Sequence, residues 1–440
     1  MARAGWAEED GPIIRHPFTR HTRFQRAISP CSPPAPQRQS MARRAPPSRP
    51  SDRAAILTRR RRRKMARSAH AYVRGNTERF YEWLQADTQR ALPDGPSIWI
   101  CGDCHVGNLG PVVDGDGRVG IVIRDLDQAV IGNPAHDLIR LGLSLASACR
   151  SANLPGAVSV RVVDLLLNGY VKAFKPRPTP VQAPGAIETL LKRAIDRTWK
   201  QLVRDHLSHT KPKIPHGPRF WPLSRREQRA IADALPASSL GSLAEQLGIA
   251  TPDETVTVAD AAYWVKGCSS LGRPRYAVLL AISDPMGRSR LAMLDIKDAP
   301  PAAAPRSEGA SMPRDNAERV VTAAKALSPG LGNRMRALRM LDRPMVLREL
   351  APEDLKIESD HLPPLAMNAI AAYLGWVLGE SHARQMSADE RKQWRGRLRQ
   401  SRSTRVDTPS WLWQAIVDAL ASHERGYLQH CRRHISIIES

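Results

Sequence analysis

The chain has 440 residues, enough for two or three domains, and its hydrophobic fraction of 42% is ordinary for a soluble globular protein. No apolar run is long enough to predict a membrane-spanning helix, and six cysteines in so long a chain do not form a disulfide framework. The first residues also lack the apolar core of a secretory signal, so we expect reduced thiols and a cytoplasmic location.

The formal net charge of +23 suggests acidic partners such as nucleic acid or phosphate groups. Much of this excess lies in residues 1–67, where Arg and Lys far outnumber Asp and Glu. Residues 1–50 are rich in Pro, Arg and Ser and cannot bury enough apolar surface to fold. We therefore predict a disordered basic tail over residues 1–58, and both a solvated arm and a nucleic-acid contact are consistent with it.

Short apolar strands and apolar helices are both predicted, and the fold class expected is α+β. In chain order, strands are predicted over residues 97–101, 119–123, 256–265, 276–280, 291–296 and 344–350. Residues 151–255 are predicted to be mostly helical, and further helices are predicted to begin near Asp137 and to cover 316–327, 363–385 and 409–433.

Three polar side chains, Asp103, Asn108 and Asp125, follow the first two strands closely. Phosphoryl transfer needs a carboxylate to orient or deprotonate the attacking hydroxyl, and Mg²⁺ prefers hard oxygen ligands, of which one or two are carboxylates. The three residues supply that set. Asp and Asn also favour turns and helix caps, so a purely structural role is the alternative interpretation.

The pattern G-D-x-H-x-x-N, followed by D-x-x-x-A-x-x-G-x-P-x-x-D-L, spans residues 102–138 and resembles the catalytic and metal loops of aminoglycoside phosphotransferases and choline kinases. The resemblance implies that Asp103 is the catalytic base and that Asn108 and Asp125 hold Mg²⁺. It also implies that His105 braces the catalytic loop. Asp137 would cap the following helix and tie it back to that loop.

A loop between Gly267 and Gly272, followed by Lys297 on a later strand, resembles the glycine-rich loop of a kinase and its phosphate-binding lysine. Ser269 replaces the middle glycine of G-x-G-x-x-G, and its Cβ limits how closely the backbone approaches phosphate. The hydroxyls of Ser269 and Ser270 can themselves bond phosphate. A surface lysine on an edge strand is the alternative for Lys297.

The same resemblance assigns Glu318 as the carboxylate that pairs with Lys297, and Glu349 with Ala351 as the hinge that meets adenine. In an ordinary kinase these parts precede the catalytic loop, whereas here they follow it. The segment around His382 resembles the helix that leads into the catalytic loop, yet it lies near the C-terminus. The resemblance therefore implies a protein-kinase-like two-lobed fold in circularly permuted order.

Motifs over residues 60–430 also resemble the bacterial domain of unknown function 2252 family. They include Lys64-Met65-Ala66 with Arg74-Gly75, Lys297-Asp298-Ala299 and Ser381-His382-Ala383-Arg384. The resemblance implies the permuted kinase-like fold but no substrate. Arg74 belongs to the family's motif, and we expect it to support the catalytic loop or to contact phosphate or substrate.

The run from Cys101 to His105 also fits C-x-x-C-H, which is typical of covalent haem attachment, or a redox or zinc half-site. Haem attachment of this kind accompanies export, and a structural zinc site needs a second cysteine pair, which the sequence lacks. The kinase-like pattern accounts for the Asp, the His and the following Asn as well.

These observations predict a phosphotransferase that uses ATP and Mg²⁺ and acts on a hydroxyl of a small molecule. Residues 59–255 would hold the catalytic and metal loops with a helical lobe, residues 256–352 the nucleotide-binding small lobe, and residues 353–440 the helices that complete the large lobe. Transfer of AMP, phosphorylation of a protein, and a non-catalytic pseudokinase or nucleic-acid-binding role are the alternatives.

Overall fold

A computed structural model describes residues 50–87, 92–113, 119–196, 213–268, 270–350, 366–400 and 409–435. By their contacts these residues belong to one unit. None of the helices in the described ranges is both long and apolar enough to cross a membrane.

Three short helices open the described chain: α1 (Arg53–Met65), α2 (Ala69–Gly75) and α3 (Thr77–Gln85). The tail boundary predicted at residue 58 falls inside α1. The basic residues of α1 make specific contacts, since Arg53 Nη1 lies 2.7 Å from a carboxylate oxygen of Glu227, and Lys64 Nζ donates to the carbonyl oxygen of Gly267 over 2.8 Å. The helix therefore links the first part of the chain to segments some 170 to 200 residues further on.

Two pairs of short strands present the loops that carry the predicted chemistry. They are β1 (Ile98–Ile100), β2 (Leu109–Val113), β3 (Val119–Ile123) and β4 (Val130–Gly132). Strand β1 pairs with β4, and β2 pairs with β3, both antiparallel. Loop 101–108 joins β1 to β2, and loop 124–129 joins β3 to β4. This pairing places the two loops side by side, and the amide of Arg124 donates to the carbonyl oxygen of Asn108 over 2.8 Å.

A helical layer packs behind these loops. It begins with α4 (Ala135–Ser151), α5 (Gly156–Lys172) and α6 (Gly185–Asp196). Helix α4 is buried along almost its whole length, as its apolar sequence predicts. Its apolar side chains join the largest hydrophobic cluster of the molecule.

A six-stranded antiparallel sheet, in the order β5-β6-β7-β8-β10-β9, forms the other layer. Its strands and interleaved helices are β5 (Phe220–Trp221), α7 (Arg225–Ala234), α8 (Ala237–Gln246), β6 (Thr255–Trp264), β7 (Arg275–Ser283), β8 (Ser289–Asp298), α9 (Asn316–Leu327), α10 (Pro329–Gly332), β9 (Met335–Met340) and β10 (Arg343–Glu349). The strands predicted in this region are confirmed within two or three residues at each end, and the helix predicted over 316–327 is confirmed.

The two faces of this sheet differ in what they meet, because side chains alternate along each strand. One face carries Leu294 and Ile296 and is covered by apolar residues of α7 and α8, such as Ile231 and Leu240. The opposite face carries Lys297. The boundary predicted between residues 255 and 256 is therefore displaced: β5, α7 and α8 precede it but belong to the sheet layer, since their apolar side chains are buried against the sheet.

The chain ends with α11 (Met367–Ala383), α12 (Ala388–Leu398) and α13 (Ser410–Arg433). Helix α11 lies very close to α5, because an added Cβ at Gly169 would overlap the backbone of Ala372 and one at Gly375 would overlap that of Leu166. These helices return to the helical layer, so the mixed α+β architecture expected from the sequence is present.

Candidate active site

Loop 101–108 is fixed to the start of α4 by a buried carboxylate. The backbone amides of Cys101 and Gly102 donate to the two oxygens of Asp137, over 2.6 and 2.9 Å. His382 Nε2 lies 3.3 Å from the same carboxylate. Asp137 sits within the first turn of α4, whose N-cap is Pro134 without a side-chain cap bond. Asp137 thus ties the loop to the helix but does not cap the helix, because both of its oxygens face the loop.

Asp103 is held by the guanidinium of Arg140, whose side chain is fully buried in α4. The Asp103 Oδ1 atom accepts from Arg140 Nε over 3.0 Å, and Arg140 Nη2 lies 2.9 Å from the same oxygen. Burial raises the pKa of Asp103, although Arg140 and a hydrogen bond from Thr77 act in the opposite direction. The carboxylate nevertheless lines a cleft, together with Asn108 and Asp125.

His105 lies within this loop and Arg74 lies beside it, and neither lines the cleft with Asp103. His105 Nε2 is 3.9 Å from Asp103 Oδ2, beyond hydrogen-bond distance, and its side chain is buried. Burial lowers the pKa of His105 well below its usual range, so the ring is neutral. Arg74 packs on Gly107, where an added Cβ would come within 2.6 Å of its Nη2 atom. Both residues are placed to brace the loop.

Asn108, Asp125 and Asp127 meet Lys297 from the sheet. The Asn108 amide nitrogen donates to the carbonyl oxygen of Asp103 over 2.9 Å. Lys297 Nζ lies 2.8 Å from Asp125 Oδ1 and 2.6 Å from Asp127 Oδ1. Burial by itself lowers the pKa of Lys297, but the two carboxylates raise it above its ordinary value. The lysine is therefore charged and bridges the sheet to loop 124–129.

The oxygen donors of this cluster suit a hard divalent cation. The side chain of Asp125 is 41% exposed, and the nitrogen of the Asn108 amide is already used, which leaves the amide oxygen to face a ligand. Mg²⁺ takes one or two carboxylates and completes its shell with water and phosphate oxygens, so this donor set fits it. Within the described ranges, no group of three or more His, Cys, Asp or Glu is arranged to hold a metal.

The glycine loop lies between β6 and β7, beside the same cleft. Gly267 and Gly272 have φ values of +92° and +98°, which only glycine adopts readily. Ser270 lines the cleft near Asp103, and its hydroxyl donates to the carbonyl oxygen of Lys266 over 3.3 Å. Ser269 lies outside the described residues.

Glu318 does not meet Lys297 in the described part of the chain. Its side chain is exposed in the first turn of α9. The next residue, Arg319, turns inward and donates to the carbonyl oxygens of Asp127, Ala129 and Pro300. Successive side chains on a helix point about 100° apart, so the inward position of Arg319 directs Glu318 to solvent.

The predicted hinge is described only in part. Glu349 is the last residue of β10, and its carboxylate accepts from Arg334 over 3.2 Å. The amide of Leu350 donates to the carbonyl oxygen of Met293 over 2.8 Å. Ala351 lies outside the described residues.

The two cysteines of C-x-x-C, Cys101 and Cys104, belong to loop 101–108, and both are buried free thiols. Their mutual hydrogen bond, together with burial, raises the pKa of Cys101 well above its usual range. Burial likewise raises the pKa of Cys104, against the effect of that bond. Both thiols are therefore neutral, and these two side chains of the loop act as packing groups.

The sequence interpretation missed three charged residues close to Lys297. Arg275 and Arg348 both donate to Asp295, which is completely buried. A signal for them was present, because Asp295 and Lys297 stand two positions apart in an otherwise apolar strand and so share a face. Arg348 stands two residues after the buried Val346 in β10, so these two side chains also share a face of the sheet.

Residues 53–433 match the protein family described as "Uncharacterized protein conserved in bacteria (DUF2252)". The chain belongs to this family. No curated protein and no solved structure matches it.

Proposed function

We propose that the protein transfers a phosphoryl group from Mg-ATP to a hydroxyl group of a small molecule. The observation that carries this proposal is the convergence of Asp103, Asn108 and Asp125 with Lys297, which lies 172 residues after Asp125 in the chain. A carboxylate, hard oxygen donors and a fixed cation around one cleft are the groups that phosphoryl transfer requires.

We also propose that the fold is kinase-like and circularly permuted. From β6 to β10 the chain runs through a glycine loop, the lysine strand, a helix and two further strands, which is the kinase order. Two residues after α11, Gln385 accepts from the amide of Trp99 over 2.9 Å and donates to its carbonyl oxygen over 3.0 Å. Helix α11 thus ends beside β1, the strand that leads into loop 101–108. In a kinase the corresponding helix continues along the chain into the catalytic loop. Here the two segments meet only in space, so the contact supports permutation.

Each residue of the cluster has a distinct role in this proposal. Asp103 accepts the proton of the attacking hydroxyl, and its raised pKa makes it a better base than an exposed aspartate. Asp125 and Asn108 would hold Mg²⁺, which when bound neutralises charge on the phosphate oxygens. Lys297 keeps Asp125 and Asp127 in place and supplies positive charge to the donor.

The test combines a binding and a turnover measurement. With Mg-ATP and pools of hydroxyl compounds, the wild-type protein should release ADP, whereas release of pyrophosphate would indicate AMP transfer. Asp103→Asn should lose turnover but keep the thermal stabilisation by Mg-ATP, and Asp125→Asn should lose both. Asp342, whose side chain is 94% exposed and does not line the cleft, provides the control variant Asp342→Asn. Absence of any nucleotide-dependent stabilisation in the wild type would refute the proposal.

A further inference from the structure

A strongly basic chamber lies beside the Asp125–Lys297 pair. Of the described residues, its lining comprises Gly107, Asn108, Asp125 and five cations: Arg124, Lys266, Arg275, Lys297 and Arg348. Four of these cations come from the sheet or the end of β6, and Arg124 comes from loop 124–129. Positive charge therefore surrounds the chamber from both layers.

The two arginines of the sheet are held rigidly by one buried acid. Arg275 Nε donates to Asp295 Oδ1 over 2.7 Å, and Arg348 Nε donates to Asp295 Oδ2 over 3.1 Å. Burial by itself raises the pKa of Asp295, but the two guanidiniums hold it well below its usual range, so it stays ionised. Asp295 thus fixes both guanidiniums at one wall of the chamber, and the planar guanidinium suits phosphate oxygens.

Trp264 supports one further cation, Lys266, and gives Arg275 a second contact. Lys266 Nζ lies 4.2 Å from the centroid of its ring, and the Cζ atom of Arg275 lies 4.9 Å from it. Cation–π contacts at these distances fix side chains that would otherwise extend into solvent. The chamber is therefore preorganised for an anion.

The apolar part of the same sheet face is already covered. Ala277 and Leu279 are 0% exposed, and Met293 is 3% exposed, in a buried cluster with Phe220 and Leu350. A nucleobase is bound mainly by apolar surface on its faces. In the part of the chain that the structure describes, this face of the sheet offers a basic chamber to a ligand but no open apolar slot.

We propose that this chamber binds a polyphosphate chain and that the protein selects its phosphate donor by that chain instead of by the base. That the bound ligand is the phosphate donor rests on the proposed function. Binding of the anion to the chamber does not depend on turnover. Inorganic triphosphate is then a ligand in its own right, and nucleoside triphosphates with different bases bind alike.

The experiment is calorimetric titration of the full chain with inorganic triphosphate, ATP, GTP and adenosine, each in the presence of Mg²⁺. Triphosphate, ATP and GTP should bind with dissociation constants within about tenfold of one another, triphosphate should displace ATP, and adenosine should not bind. Tight binding of adenosine, or failure of triphosphate to displace ATP, would overturn the inference.

Variants locate the binding. Arg348→Gln and Lys266→Gln should each weaken triphosphate binding roughly 10- to 100-fold, the loss expected for one charge-assisted bond. Lys266 packs on the ring of Trp264, a contact separate from the Arg348–Asp295 bond, so its variant remains informative if Arg348→Gln fails to fold. Arg343→Gln, on the same strand but outside the chamber, should bind as the wild type does. Unchanged binding in both chamber variants would place the anion elsewhere and refute the site.

The outcomes separate this inference from the proposed function. Triphosphate binding that the chamber variants weaken, without ADP release for any acceptor, would support the chamber and count against the phosphotransferase. ADP release, together with binding that strictly requires adenine, would support the phosphotransferase and overturn the inference that the donor is selected by its phosphate chain.

Discussion

Lys297 Nζ lies 2.8 Å from Asp125 Oδ1 and 2.6 Å from Asp127 Oδ1, so one lysine of the six-stranded sheet joins two carboxylates of loop 124–129. The lysine side chain is only 12% exposed. This contact therefore both connects the two layers and balances charge at the cleft.

Replacing this lysine is expected to destabilise the fold in a pH-dependent way. Lys297→Met should lower the free energy of unfolding by about 3 kcal/mol at pH 7, since a part-buried pair of carboxylates loses its cation. The variant raises the folded-state pKa of Asp127, which burial already raises. A raised carboxyl pKa favours the folded state at low pH, and that advantage disappears as pH rises. The loss should therefore be smaller at pH 4 than at pH 7.

Urea denaturation at both pH values measures this effect. The double variant Lys297→Met with Asp127→Asn should recover part of the stability at pH 7, because one of the two carboxylates that lost the lysine is now neutral. An equal loss at both pH values, with no recovery in the double variant, would contradict this account of the pair.

Gly102 is expected to be irreplaceable for two separate reasons, which a matched glycine can distinguish. Gly102 and Gly248 both have a φ of +72°. An added Cβ at Gly102 would overlap the carbonyl oxygen of Gln128, whereas at Gly248 it would meet nothing within 4 Å. Gly248→Ala should cost about 1 kcal/mol from the backbone conformation alone. Gly102→Ala should cost distinctly more, and thermal denaturation of the two variants compares them. Equal losses of stability in the two variants would show that loop 101–108 can shift to accommodate the added Cβ.

The carboxylate of Asp137 is expected to matter far more than that of another acid in a first helical turn. Asp137→Asn replaces one acceptor by a donor opposite the amides of Cys101 and Gly102, which should cost about 2 kcal/mol. Asp389 stands in the first turn of α12 but is exposed, so Asp389→Asn should cost less than about 1 kcal/mol. Chemical denaturation of both variants tests this, and similar losses would deny Asp137 its role in holding the loop.

Two histidines, the buried His423 and the partly buried His136, are expected to make the fold sensitive to mild acid. Burial lowers the pKa of His136 to about 4 and that of His423 to about 3. Below the ordinary value of 6.5, the unfolded chain binds protons that the folded chain does not, so stability falls as pH falls. Each histidine contributes up to about 1.4 kcal/mol per pH unit between 6.5 and its folded-state pKa.

The free energy of unfolding between pH 7 and pH 5 provides the measurement. In His423→Gln the free energy of unfolding should depend less steeply on pH than in the wild type, because one titrating group is removed. This holds regardless of how much stability the variant loses at pH 7. His216→Gln, at an exposed histidine, is the comparison variant. An unchanged slope in His423→Gln would mean that this histidine does not titrate as its burial indicates.

The sequence by itself predicted the local units well. The strands from β6 to β8, the helix Asn316–Leu327 and the strand β10 follow from apolar periodicity and turn residues, which act over a few positions. The set of Asp103, Asn108 and Asp125 was also visible, because all three lie close together in the sequence, on two loops that follow short strands. Local spacing fixes such a group with little help from the rest of the chain.

Only the tertiary structure decided how distant segments meet. It set Arg319 instead of Glu318 against loop 124–129, because the face that α9 presents to the sheet depends on packing and not on the helix sequence alone. It also paired Arg275 and Arg348 around Asp295, since the order of β7, β8 and β10 in the sheet brings these residues together. Local periodicity shows which residues share a face, but the partner of a buried charge is determined by which strands and loops pack next to it.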